Sequence, residues 1–288
     1  MEPFVVKAYA KLNLALDLVG KREDGYHFLR MVNQSVSLAD RLTILPSDIL
    51  LVKCDDADLP DGPKNIVYRA AKHFYEIVPE APKIQIQIEK HIPHEAGLGG
   101  GSTDAAAVLQ ILNQISGKPF SEKALLALGE RIGADVPFCI KGGTALVEGI
   151  GEQIAPLNEM PACKIVLCKP KIGVETKAAF EMADRLPSLE ACYSENVKQA
   201  VKEENLIKLS ASLGNFFEDI LKLPEILKLK AAFLKMGALG AAMTGSGSAV
   251  FGIFEDPILA QKCVDSLKKQ YDETFLCEPV SVPLQIEP

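Results

Sequence analysis

The chain has 288 residues, 48% of them apolar, and a net charge of −7. That length suits about two domains with real cores, and the acidic balance argues against wholesale nucleic-acid binding, which favours basic surfaces. No basic start with a long apolar run marks a leader, and no apolar stretch reaches the roughly 20 residues of a membrane span. A cytoplasmic protein that engages neither nucleic acid nor membrane is therefore expected.

Residues 5–19 read as a strand or two. Leu12, Leu14, Leu16 and Leu18 alternate onto one face, and Lys11, Asn13 and Asp17 onto the other. Residues 21–25 form a turn by composition, and strands are expected over 26–38 and 41–45. An acidic, proline-bearing loop covers 55–64. Ile66, Ala70, His73, Phe74 and Ile77 keep helical spacing over 65–78, with Asn65 as a candidate N-cap. Ile84, Ile86 and Ile88 alternate with Gln85, Gln87 and Glu89 in a strand. Ala105, Val108, Leu109, Leu112 and Ile115 make an amphipathic helix, and another follows near 121–131 with Ser121 as a cap candidate. Residues 156–161 resemble a linker. Ile165–Leu167 is a strand, and 175–236 is largely helical with Pro187 and Pro224 as breaks. The run 237–247 is rich in small residues. Residues 249–254 read as a buried strand, 257–271 as a last helix, and 275–282 as a short strand. Elements mixed in two groups indicate an α+β protein of two domains.

The seven cysteines are scattered. Cys163 and Cys168 are the nearest pair. Their odd separation in a strand puts them on opposite faces, so reduced, buried thiols are expected rather than a disulfide or metal site. The four histidines, His27, His73, His91 and His94, show no zinc spacing.

One stretch speaks most directly of function. Residues 93–106 read Pro-His-Glu-Ala-Gly-Leu-Gly-Gly-Gly-Ser-Thr-Asp-Ala-Ala, with four glycines in five positions between a strand and a helix. That order places free backbone N–H groups around an anion, most simply a nucleotide phosphate. A tight turn without a ligand is the plainer alternative. Ser102 and Thr103 favour the phosphate, because their hydroxyls can cap the helix, bind phosphate oxygens or reach a Mg²⁺ ion. The P-loop pattern fails because no lysine stands beside Ser102. The dinucleotide fingerprint fails because Ser102 replaces its third glycine. The protein-kinase set fails because neither His-Arg-Asp nor Asp-Phe-Gly occurs.

The pattern Pro-x3-Gly-Leu-x2-Gly-Ser, from Pro93 through Gly97, Leu98 and Gly101 to Ser102, resembles the phosphate motif of the GHMP small-molecule kinases. Further segments extend the resemblance over nearly the whole chain: 10–14, 21–27, 65–72, 133–138, 148–152 and 244–248. The turn Asp24-Gly-Tyr-His27 with Lys11–Asn13 points to the branch that phosphorylates the 2-hydroxyl of a methylerythritol carrying a cytidine diphosphate, in non-mevalonate isoprenoid synthesis. The resemblance implies a two-domain GHMP fold, 1–158 binding ATP and 159–288 following it, with the site in the cleft between them. It is compatible with a monomer or a homodimer. A GHMP kinase for homoserine or mevalonate, or a non-catalytic nucleotide-binding relative, is the alternative; Tyr26 and His27 argue against the former and Lys11, Asp135 and Ser102 against the latter.

By motif position the resemblance makes Asp135 and Lys11 the catalytic pair. Asp135 would accept or align the hydroxyl proton, and Lys11 would keep it ionised and stabilise the transferred charge. Taken alone, Asp135 is equally a turn residue or helix cap, and Lys11 a solvated strand lysine. ATP would meet Pro93, Gly97, Leu98, Gly99, Gly100, Gly101, Ser102 and Thr103. Asn65 and Lys90 match positions near the adenine, though Asn65 is equally an N-cap. Ser102 is the candidate Mg²⁺ ligand. Asn13, Tyr26, His27, Phe180, Gly245 and Ser246 would bind substrate, with Tyr26 and Phe180 stacking on the cytosine and His27 reading its edge. Tyr26 and Phe180 also suit plain core packing, and 244–248 a compact turn. The family has a small residue where Glu95 stands. A carboxylate beside ATP phosphates would repel them, so Glu95 is expected to face solvent, a ribose or a cation. The role of residues 184–208 stays open, as a helical cover or a solvated surface.

Overall fold

The computed structural model describes residues 2–23, 25–185 and 192–287. The expected proline break at 187 lies outside the described residues, as does part of the 184–208 segment. Two antiparallel-dominated sheets with flanking helices bear out the α+β class.

Two long strands, Phe4–Lys21 and His27–Pro46, form the spine of an eight-stranded sheet. Each is long enough to change neighbours along its length. His27–Pro46 pairs with Thr144–Gly149 through Leu29–Gln34, and with Ile84–Glu89 through Arg41–Pro46. Where the sequence suggests two strands, there is one. The register jumps from Tyr9 opposite Ala39 to Ala10 opposite Val36, leaving Ser37 and Leu38 without partners on the first strand. Such a bulge resets the alternation and mimics a strand end.

A second register shift, between Asn13 and Ala15, corrects the expected leucine face. Leu12 and Leu14 pack into a cluster with Leu167 and Phe251 of the other sheet, whereas Leu16 joins the larger core. The polar face is not solvated either. Lys11, Asn13 and Asp17 are all buried. Asp17 accepts from the N–H groups of Tyr193 and Ser194 at 3.0 and 2.9 Å, and from the Ser194 hydroxyl. It thereby anchors the start of helix Tyr193–Lys202, where a carboxylate meets the positive helix end.

Helices Ile66–Ile77, Gly100–Ile115, Glu122–Ile132 and Val136–Lys141 gather beside this sheet. Asn65 and Ser121 cap theirs as expected, accepting from Val67 and Ala124. The glycine-loop helix begins at Gly100, five residues before the first apolar position, because its first turn, Gly-Gly-Ser-Thr, carries no apolar side chain to mark it in the sequence.

The second sheet runs Thr274–Cys277, Lys164–Cys168, Val250–Phe254, Gly240–Met243, all antiparallel. The last strand was not visible as a strand because its residues are small. A Cβ at Gly240 would lie 2.0 Å from the Ser210 carbonyl oxygen, so close backbone approach overrides β-propensity there. Pro224 opens helix Pro224–Lys235 at its first turn. The expected strand over 275–282 shortens to Thr274–Cys277 here, and a strand the sequence reading did not expect, Leu284–Glu287, lies alongside Val5–Ala8 in the first sheet. The chain therefore ends on the sheet where it began, whereas a division at residue 158 assigns that strand to the second unit.

Candidate active site

Strand Ile84–Glu89 delivers the chain to the glycine loop. Gly97 and Gly99 take φ of +74° and +69°, a region that favours glycine. Gly99 is the N-cap of the following helix and offers no side chain to cap it, so the first-turn N–H groups stay available to an anion. They border a pocket of about 360 Å³ walled by Asn65, Lys90, Pro93 and the run from Gly97 to Ser102.

The loop is held from two sides. The Lys11 N–H donates to the Leu98 carbonyl at 3.0 Å, and a Cβ at Gly99 would lie 2.9 Å from Lys11 Cγ. A Cβ at Gly97 would lie 2.2 Å from the Thr244 carbonyl oxygen, so the two glycine loops meet backbone to backbone. Asn13 stitches them together. Its Oδ1 accepts from the Gly245 N–H at 2.8 Å and from Lys11 Nζ at 2.9 Å, while its Nδ2 donates to Asn33.

Lys11 Nζ stands 3.7 Å from Asp135 Oδ2. Lys11 is 4% exposed, whereas the Asp135 side chain is 38% exposed and borders a second pocket. Asp135 precedes helix Val136–Lys141 but its side chain caps nothing there. The capping alternative therefore falls away, and the carboxylate is left for the pocket.

That pocket has a volume of about 980 Å³ and reaches from Lys11, Asp135 and Gly245–Gly247 to Tyr26, His27 and Phe180. Tyr26 is 64% exposed at the lip, so core packing does not account for it. The Phe180 ring lies on His27, with centroids 5.0 Å apart and planes 21° apart, and meets Phe217 edge-on. Its stacking face is thus turned to a histidine. Ser246 bonds to Thr176 at 2.8 Å across the pocket mouth. Glu95 adopts φ +50° and is exposed at the junction of the two pockets.

Three expected ATP contacts are occupied elsewhere. Thr103 is buried and donates to the Tyr9 carbonyl at 2.7 Å. Asn65 accepts from Val67 and donates to the Pro60 carbonyl, so it shapes the pocket wall with both ends engaged. Lys90 is clamped between Asp40 and Asp104, the latter at 2.9 Å. Burial alone would lower the Lys90 ammonium, but the two carboxylates outweigh it and raise it. Burial and the charge of Asp40 push the Asp104 carboxyl up, against the pull of Lys90.

Sequence reasoning missed Asp40, Asp104, Asp184 and Asn215. Asp40 also accepts from the N–H groups of His91 and Ile92, fixing the approach to the glycine loop. Asn215 caps helix Phe216–Leu221 and donates to the carbonyls of Met243 and Gly245, both at 2.8 Å. Asn before an apolar pair with Glu three residues on was the available signal; the strand aspartate Asp40 offered none.

A glycine loop opening a helix, a second glycine loop against it, and a buried lysine facing a carboxylate define a phosphotransferase site. The chain matches the family model for the GHMP kinases N terminal domain over residues 65–143, and that for GHMP kinases C terminal over residues 197–273. It is 40% identical to the 4-diphosphocytidyl-2-C-methyl-D-erythritol kinase of Clostridium botulinum (strain Loch Maree / Type A3), over 95% of this chain and 99% of that protein. The protein of the same name from Clostridium beijerinckii is 38% identical, covering 96% and 99%. A crystal structure of a 4-(cytidine 5'-diphospho)-2C-methyl-D-erythritol kinase superposes with a TM-score of 0.80 at 32% identity, covering 96% of this chain and 98% of that one. The homoserine kinase of Cytophaga hutchinsonii shares the fold at 20% identity, with a TM-score of 0.78 and coverage of 100% and 98%. At this identity and coverage the chain belongs to the 4-diphosphocytidyl-2-C-methyl-D-erythritol kinase family of GHMP kinases.

Proposed function

We propose that the chain transfers the terminal phosphoryl group of ATP to the 2-hydroxyl of 4-diphosphocytidyl-2-C-methyl-D-erythritol, in the non-mevalonate route to isoprenoid precursors. The observation that carries this reading is the Lys11–Asp135 pair, placed where the phosphate loop meets the larger pocket. Among the described residues no helix is long and apolar enough to cross a membrane. We take the enzyme to act in the cytoplasm, as monomer or homodimer.

Phosphoryl transfer asks a protein for alignment and charge neutralisation more than covalent chemistry. The free N–H groups of Gly100, Gly101 and Ser102 would hold ATP phosphates. Asp135, accessible from the larger pocket, would accept or align the proton of the attacking hydroxyl. Lys11, buried and oriented by Asn13, pairs with Asp135 and would set positive charge beside the transferred group. Tyr26 would stack on the cytosine, with His27 at its edge.

The pocket wall suits a Mg²⁺ that arrives on the nucleotide. Ser102 supplies a hydroxyl at the helix start, and Asp104 Oδ1 is buried without a partner beside it. Phosphates usually provide most Mg²⁺ ligands, leaving one or two to the protein. The ion would supply charge neutralisation on the phosphate oxygens.

An assay of ADP release with the cytidine-linked alcohol, homoserine and mevalonate tests the reading. Release is expected with the first alone, and equal turnover of homoserine or mevalonate would refute it. Asp135→Asn is expected to lower kcat by about 10²–10⁴-fold while nucleotide binding persists. Full activity in that variant would remove Asp135 from the mechanism.

A further inference from the structure

At the far end of the larger pocket, His27 is held by one helix. Its ring plane rests on Phe180, and its Nε2 lies 2.8 Å from Asp184 Oδ1. Phe180 and Asp184 are four residues apart at the end of helix Thr176–Ala183, and the Asp184 N–H donates to the Phe180 carbonyl at 3.1 Å. Side chains at that spacing share a face. One helix face therefore fixes both the plane and the edge of the imidazole.

Lys21 donates to the same Asp184 oxygen at 2.7 Å. The hydrogen bonds from Lys21 and His27 hold the Asp184 carboxyl below its ordinary range. An ionised carboxylate only accepts hydrogen bonds. The proton of a neutral His27 must then sit on Nε2, which leaves Nδ1 with a lone pair.

We propose that Asp184 is a positioning residue for base selection: it fixes the His27 tautomer so that Nδ1 accepts from an amino-substituted pyrimidine and turns away an oxo-substituted one. The proposal rests on the reading above that the substrate carries a cytidine diphosphate. Cytosine presents an amino donor where uracil presents a carbonyl acceptor. Against an Nδ1 lone pair the first pairs, while the second sets acceptor against acceptor and leaves both unsatisfied. Sites that hydrogen-bond a substrate group reject the analogue lacking it far more strongly than apolar pockets do. Without the carboxylate the ring is free to carry its proton on Nδ1, and a donor there suits a uracil carbonyl.

The test compares kcat/KM for the cytidine-linked alcohol and its uridine-linked counterpart in the unsubstituted enzyme, Asp184→Asn and Asp184→Glu. An asparagine can turn its amide to donate to Nε2, so it permits either tautomer. Asp184→Asn is expected to lower the cytidine-to-uridine preference by about 10–100-fold, mainly through KM, with the KM for ATP held; Asp184→Glu is expected to restore part of it. Nitrogen-15 NMR of the ring supplies the readout that a merely structural role would not move. Only four histidines are present, and His27→Gln assigns the signal. Well above the ordinary histidine pKa of about 6.5, the enzyme is expected to show protonated Nε2 and Asp184→Asn a mixture. Unchanged base preference in Asp184→Asn, or a proton on Nδ1 in the unsubstituted enzyme, overturns the proposal. Turnover of neither alcohol by the unsubstituted enzyme overturns the functional reading and this one together, and is distinct from turnover with unchanged preference.

Discussion

At Glu95 a side chain occupies a backbone conformation that suits glycine. Its φ of +50° costs a residue with a Cβ about 1 kcal/mol, and the greater freedom of an unfolded glycine offsets much of that gain on substitution. Its carboxylate lies toward Gly173, with Oε2 4.0 Å from where a Gly173 Cβ would stand. Glu95→Gly is therefore expected to leave the KM for ATP nearly unchanged and to move stability by less than about 1 kcal/mol. A severalfold fall in that KM would place the carboxylate against the phosphates instead. The thiols give a second check on single residues. Burial pushes Cys163 and Cys277 up to about 12, so almost none of either is thiolate at pH 8. A thiol reagent at that pH should label exposed Cys192 first and reach the five buried cysteines only on unfolding; rapid native labelling of Cys163 would contradict the packing. Lys11 and Asp135 were legible in sequence because short motifs carry them. Asp40 and Asp184 were not, because their partners stand 50 and 157 residues away and no local pattern encodes such a meeting; the cap at Asn215 had a local signal, but its reach to Gly245, 30 residues on, had none.

The two glycine loops act as one element, although each was legible only separately. Gly97 and Gly245 touch across the cleft: a Cβ on Gly245 would stand 2.8 Å from Gly97 Cα. The obstacle on both sides is backbone, which cannot swing aside as a side chain can. Gly97→Ala must push Thr244 and Gly245 away, and with them the N–H that Asn13 holds. Misplacing reacting groups by an ångström costs about 10²-fold in rate. Gly97→Ala is expected to lose at least that in kcat/KM and to unfold more easily. Gly117→Ala is the matched control. Gly117 also has positive φ, +78°, but a Cβ there meets nothing within 4 Å. It is expected to lose only the backbone cost of about 1 kcal/mol, with kcat retained. Equal damage in the two variants, measured by denaturation and by rate, would mean that φ rather than loop contact governs the site.

On the scale of the whole molecule, the strand Phe4–Lys21 belongs to both halves of the chain. One edge takes the final strand Leu284–Glu287. Leu12 and Leu14, both fully buried, lie in the cluster that holds Leu167 and Phe251. Asp17 anchors a helix some 176 residues away. Removing the second half would expose each of those leucines, at about 1.5–3 kcal/mol apiece. It would also strip Asp17 of its donors and bare a strand edge that invites pairing with other chains. Domains of ordinary size hold only about 5–15 kcal/mol in reserve, so losses of this kind consume most of it. A fragment of residues 1–158 is therefore expected to lack a cooperative thermal transition and dispersed amide resonances, although the motif reading makes it the ATP-binding domain. The intact enzyme is expected to unfold in one transition that ATP shifts upward, because ligand binding stabilises only the folded form. A fragment that folds cooperatively and binds ATP would show that the shared strand contributes little. A fragment rescued by linking residues 278–288 to it would assign the deficit to the missing final strand rather than to the bared leucines.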